Sequence, residues 1–190
     1  MSNSPLARYI RCSPNCTKPR RGTIRGVAIH CTAGGRNLPA QRFADMARFV
    51  QYNARSGASC HYVVGGDGSI AQVCDEANRA WCTSNPIDHE MVTIEVASDA
   101  ASPCEVNLEA MTALIRLLVD ICQRNHIPRL LWRGEMALMG QWERQNMVVH
   151  RWTANKACPG DYLYGKHGQI AAAVNQRLAA AEAEATREAE

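Results

Sequence analysis

The run His150-Arg-Trp-Thr-Ala-Asn-Lys-Ala-Cys158, followed by Pro159-Gly160, gathers an imidazole, an ammonium and a thiol just before a turn. A second imidazole, His30, closes the apolar run Gly26-Val-Ala-Ile-His-Cys-Thr32 far upstream. Two histidines and a cysteine can supply three ligands to zinc. The fourth tetrahedral position is then open to water, the arrangement of a catalytic rather than a structural site. Such ligands must be neutral imidazole and thiolate. Spacing alone leaves a structural or merely exposed role open for each histidine.

These residues need rigid elements to bring them together. Ile24 to Thr32 reads as a buried strand through Val27, Ala28 and Ile29, ended by Ala33-Gly34-Gly35. Pro39 to Ala54 carries Phe43, Met46, Ala47 and Val50 at helical spacing and predicts one amphipathic helix. His61 to Val73 reads as a β-hairpin around Gly66-Asp67-Gly68. Met91 to Val96 alternates as a strand, with Val92, Ile94 and Val96 on one side and Glu95 on the other. Asn107 is placed to cap a long helix ending near Arg124, with Pro128 beyond it. Gly134 to Glu143 reads as either a short helix or a loop. Asn146 to Val149 is a short strand into His150, and a last helix is expected from about Lys166 through Leu178. The alternation implies a single α/β domain with a mixed central sheet and helices on both faces. Residues 1–22 read as an irregular arm, 23–178 as the catalytic domain and 179–190 as an Ala/Glu-rich helical tail or linker stub.

Composition narrows the partners. The chain has 190 residues, enough for one hydrophobic core, and a net charge of only +3, which does not point to nucleic acid. No apolar run reaches the roughly 18 residues of a membrane span. The opening Met1-Ser-Asn-Ser-Pro lacks a signal-peptide pattern. The expectation is a protein made in the cytoplasm that acts elsewhere only after release, or as part of a longer secreted protein. Nine cysteines are present without a Cys-x-x-Cys pair, which argues against a zinc ribbon or thioredoxin-type site. Most read as small buried hydrophobes. Cys12 and Cys16 could pair if oxidised. His89, His126 and His167 read as surface residues.

The segments Ala28-Ile29-His30-Cys31-Thr32, Gly66-Asp67-Gly68, Val92-Thr-Ile-Glu-Val96 and Val149 to Asp161 occur in a recognisable order. Over roughly residues 20–180 the chain resembles the zinc N-acetylmuramoyl-L-alanine amidases, and Lys156-Ala-Cys158-Pro159 is the most specific part. That family includes phage endolysins, bacterial autolysins and peptidoglycan recognition proteins; Asp161-Tyr-Leu-Tyr164 is similar to its endolysin and prophage branch. The resemblance implies one catalytic zinc ion on His30, His150 and Cys158. It implies Glu95 as the base and Lys156 beside the metal. The substrate would be bacterial peptidoglycan, cut between N-acetylmuramic acid and L-alanine, with no nucleic-acid or membrane partner. Where one branch carries a tyrosine, this chain has Cys60, followed by His61 and Tyr62, which shifts the weight onto Glu95. Cys82 stands where some relatives carry histidine. His61, Trp81, Asn85, Arg151 and Trp152 are candidate substrate contacts. Two other readings stay open: a recognition module that binds the wall without cutting it, and a different zinc enzyme or structural zinc domain with a fourth protein ligand, for which Cys31 is the obvious extra thiol. In a strand, however, Cys31 should point away from His30.

Overall fold

The computed structural model describes residues 2–189. Six strands form the central sheet in the order β1 (Tyr9–Ile10), β5 (Ile70–Gln72), β4 (Tyr62–Val64), β7 (Met91–Val96), β3 (Gly26–Cys31) and β8 (Met147–Val148). Only the β4–β5 pair is antiparallel; the other four pairings are parallel. β2 (Cys16–Thr17) and β6 (Arg79–Ala80) form a separate antiparallel pair. α3 (Leu108–Arg124) and α4 (Gly160–Ala189) cover one face, packing on Val27, Ile29, Tyr62, Val64, Ile94 and Val96. α1 (Ala40–Ala44) and α2 (Ala47–Val50) cover part of the other, against Val63, Ala71 and Val73. β3 and β7 are apolar along most of their length because helices shield one side and loops the other.

The expected hairpin is present, with Gly65 N–H donating to the Ser69 carbonyl at 2.8 Å. Gly68 has φ +76°, which a side chain would strain. Gly66 is required for a different reason: a Cβ there would collide with the Arg36 carbonyl. Asn107 caps α3 by accepting from Ala110 N–H at 2.9 Å.

Three segments differ from expectation. The single helix over 39–54 is two short ones, broken where Met46 turns extended (φ −63°, ψ 140°). Phe43 and Phe49 are six residues apart, which in an unbroken helix puts them about 120° apart around the axis. The break lets both bury in one cluster. α4 begins at Gly160 rather than Lys166, so Leu163 and His167 are buried on its first turns. Gly165 and Gly168, poor helix formers, obscure that start in the sequence. The ambiguous stretch 134–143 contains only a short 3-10 turn, Met136–Leu138.

The first 22 residues are more than an irregular arm. They supply β1 and β2. Arg20 is buried and donates to the carbonyls of Glu76 (2.6 Å), Asn78 (2.9 Å), His89 (3.0 Å) and Met91 (3.2 Å). Buried Glu76 accepts from the Tyr62 hydroxyl (2.6 Å), from both terminal nitrogens of Arg124 (2.7 and 3.0 Å) and from Asn125 (3.0 Å). Its backbone N–H donates to the Asn3 side chain at 2.9 Å. One carboxylate therefore joins the N-terminal segment, β4 and the end of α3. Removing one partner of such a buried pair leaves a charge unsatisfied, so Glu76→Ala should cost about 3–5 kcal/mol in urea unfolding. A cost under about 1 kcal/mol would contradict this role, because that is what an exposed pair contributes.

Candidate metal and active site

Parallel pairing puts His30 directly beside Glu95. Their neighbours Ile29, Cys31, Ile94 and Val96 face α3 and α4. His30 and Glu95 therefore face the opposite side, between the α1–α2 cluster and a second cluster of Ala28, Met91, Trp142 and Val148. Glu95 is in an interior strand of the sheet, so it is not an edge residue facing solvent.

β8 pairs with β3 and carries the chain into a 3-10 turn at His150–Trp152. The segment then folds back on itself. Arg151 N–H donates to the Cys158 carbonyl (3.0 Å), and the Arg151 guanidinium holds the Ala157 carbonyl (2.6 Å) and Asp161 (3.1 Å). Thr153 Oγ1 donates to the Thr83 carbonyl at 3.1 Å. These bonds place Cys158 Sγ 3.3 Å from His30 Nδ1. The His30 and His150 rings lie 5.1 Å apart at 60°.

The ligand atoms of His30, His150 and Cys158 all lie within 4.8 Å of one another. Metal–ligand bonds of about 2.0 and 2.3 Å at a tetrahedral angle put nitrogen and sulfur about 3.5 Å apart. The donor set thus fits a zinc-class ion with little movement. Burial and the neighbouring His150 hold His30 down at about 3. Burial, then the Lys156 ammonium, lower His150. Both imidazoles are therefore neutral near pH 7, as ligands must be. Burial pushes Glu95 up to about 8 against the pull of Arg48. One of its oxygens, Oε2, is buried with no hydrogen-bond partner.

The remaining sequence candidates separate. Lys156 is exposed on the same loop. Trp81 is half-buried and donates to Thr17 Oγ1 at 3.0 Å. Asn85 caps a 3-10 turn by accepting from Ile87 N–H at 3.0 Å. Trp152 stacks on Trp132, rings 5.1 Å apart at 4°. His61 does not line a groove: it is fully buried, its ring held between Thr93 (3.0 Å) and Arg20 (2.8 Å). His167 is likewise buried, its Nδ1 2.6 Å from the Leu163 carbonyl, and is no surface residue. Cys31 does face the core, as alternation requires, in a cluster against which Cys158 also packs. Cys12 and Cys16 are both free thiols, and Cys16 Sγ donates to the Ser13 carbonyl at 3.7 Å. Two contributors go beyond the predicted ligands and base: Cys82, marked in the sequence only as standing where some relatives carry histidine, and Asp88, which had no signal there. Cys82 Sγ lies 3.3 Å from His30 Nε2, and buried Asp88 holds the Cys82 loop through Thr83 N–H (3.0 Å) and Oγ1 (2.8 Å).

The sequence pattern of N-acetylmuramoyl-L-alanine amidases matches residues 20–161. The chain belongs to that family. Solved structures with this fold include an AmpD derivative, at 16% identity and a TM-score of 0.63, covering 88% of this chain and 95% of that one. The endolysin and N-acetylmuramoyl-L-alanine amidase LysCS from Clostridium intestinale is 15% identical with a TM-score of 0.55, over 83% of this chain and 90% of that one. Drosophila peptidoglycan recognition protein SD is 18% identical with a TM-score of 0.56, over 86% and 84%. No curated protein sequence matches. Among the described residues, no helix of this family member is long and apolar enough to cross a membrane.

Burial also sets a pH dependence. His61 falls to about 3 in the fold against an ordinary 6.5. A lowered histidine stabilises the fold above the unfolded value and loses that contribution as pH falls from 6.5 toward 3. His61→Gln should therefore weaken the drop in urea midpoint between pH 7.5 and pH 5. An unchanged drop would mean that His61 ionises freely in the folded protein.

Proposed function

We propose that the chain is a zinc-dependent N-acetylmuramoyl-L-alanine amidase. It would hydrolyse the amide between N-acetylmuramic acid and L-alanine in bacterial peptidoglycan, as a cell-wall lysin. The observation that carries this reading is the trio His30, His150 and Cys158, with ligand atoms within 4.8 Å, beside the buried carboxyl of Glu95 in a chain of this family.

His30, His150 and Cys158 would hold the ion. Bound there, zinc supplies a Lewis acid for the amide carbonyl and for the attacking water. Glu95 takes the water proton and passes it to the leaving amine. A cation on the neighbouring donors favours the ionised carboxylate that this first transfer needs. Lys156, on a loop folded against the site, meets the negative charge that develops on the carbonyl oxygen. Arg151 acts indirectly, by tying Ala157 and Asp161 so that Cys158 faces His30. Trp81, Asn85 and Trp152, beside the motif segments in the sequence, remain the candidate contacts to the substrate. The protein would act at the cell wall.

The test is incubation with purified peptidoglycan, with and without a zinc chelator, scoring new amino-terminal alanine. Alanine ends that vanish with chelator and return with zinc support the amidase. New reducing sugar would overturn it. Tight wall binding without cleavage would favour a recognition module, the function that the name of the Drosophila relative carries. Glu95→Gln should retain zinc and lose about 10²–10⁴-fold in turnover, the usual share of a general base. Cys158→Ser should lose both zinc and turnover.

A further inference from the structure

His30 belongs to two donor triads. On its Nδ1 side are Cys158 at 3.3 Å and His150. On its Nε2 side are Cys82 at 3.3 Å and Glu95, and these three ligand atoms also lie within 4.8 Å of one another. Only the His30 ring is common to both. The nitrogen–sulfur spacing on the second side is the same as on the first, again close to the 3.5 Å or so of a shared tetrahedral ion.

Two further observations point to a ligand. Glu95 Oε2 is buried with no hydrogen-bond partner, a state that costs free energy unless something pairs with it. The Cys82 thiol is also held in place before anything binds. Cys82 and Thr83 N–H groups both donate to Asp88, at 3.4 and 3.0 Å, and Thr153 pins the Thr83 carbonyl. A thiolate, an imidazole and a carboxylate together select a thiophilic divalent ion of the zinc class over magnesium or calcium.

We propose that Cys82, Glu95 and Nε2 of His30 form a second site for such an ion, bridged to the first through the His30 ring, and that filling it inhibits the enzyme. Binding forms bonds from the ion to sulfur, nitrogen and oxygen. It breaks the Cys82 S–H and the His30 Nε2–H, whose two protons leave to solvent, with any proton that Glu95 carries. No electron is transferred. With Glu95 tied to an ion, no base remains for the water. The inhibitory consequence rests on the amidase reading; the existence of the site does not.

Native mass spectrometry of the zinc-loaded chain, titrated with more zinc, counts the ions. Cadmium in place of zinc reports coordinated thiolates through its ultraviolet charge-transfer band. The wild type should reach two ions, with a second thiolate band and an amidase rate about 10²-fold lower than at one ion, the loss of a general base. Cys82→Ser and Cys82→Ala should each stop at one ion with one thiolate band, and keep their rate in excess zinc. Glu95→Gln should weaken the second ion and leave the first. A wild type that stops at one ion overturns the proposal. So do Cys82 variants that still bind two. Cys82 variants that lose affinity for the first ion also overturn it, because Cys82 would then only hold the His30 ring. Absent cleavage at one ion would sink the amidase reading while leaving the ion count to decide the second site.

Discussion

The parallel register of β3 with β7 is the constraint on which the site depends. It sets His30 against Glu95 and sends their sheet neighbours to the opposite face. A slip of β3 by one residue would turn His30 into the core beneath α3 and exchange it for Cys31. The register is secured because Val27, Ile29, Val92, Ile94 and Val96 are fully buried under two helices, so a slip would bury the polar set instead. The hydrophobic effect thus positions the polar chemistry, and β8 extends the same logic by delivering His150 from the next strand.

Around that frame the structure tolerates several ionisable groups out of water. Glu76 does so by accepting four hydrogen bonds from three side chains. His61 and His30 do so by staying neutral. Glu95 differs from these three, with an oxygen left unpaired in the interior. Arg79 Nε, Arg151 Nε and His167 Nε2 are also buried without a partner, but Glu95 carries the unpaired carboxylate oxygen, and it lies at the place where chemistry is expected.

The strands bearing His30 and Glu95 were legible because they are buried runs closed by turn residues, and the hairpin because its glycines leave few alternatives. The family pattern made the trio of His30, His150 and Cys158 legible, and the folded chain brings those three together. What escaped was decided by residues distant in the chain. The break in the 39–54 segment depends on Phe43 and Phe49 sharing one cluster. His61 looks like a strand-start histidine until Arg20, 41 positions earlier, is seen against its ring. Cys82 is an ordinary loop thiol until β3, 52 positions away, presents His30 Nε2. Periodicity records which face a residue takes, but not which loop will meet it there.

The recognisable pattern ends at residue 161 and begins at residue 20. The cooperative unit is larger on both sides. β1 closes one edge of the sheet, and Leu163, Ile170, Val174 and Leu178 of α4 complete the core beneath it. What identifies this chain and what holds it together are therefore different stretches of polypeptide. Drift in the outer segments is free to change robustness, temperature range or resistance to proteolysis while the chemistry encoded between them stays the same.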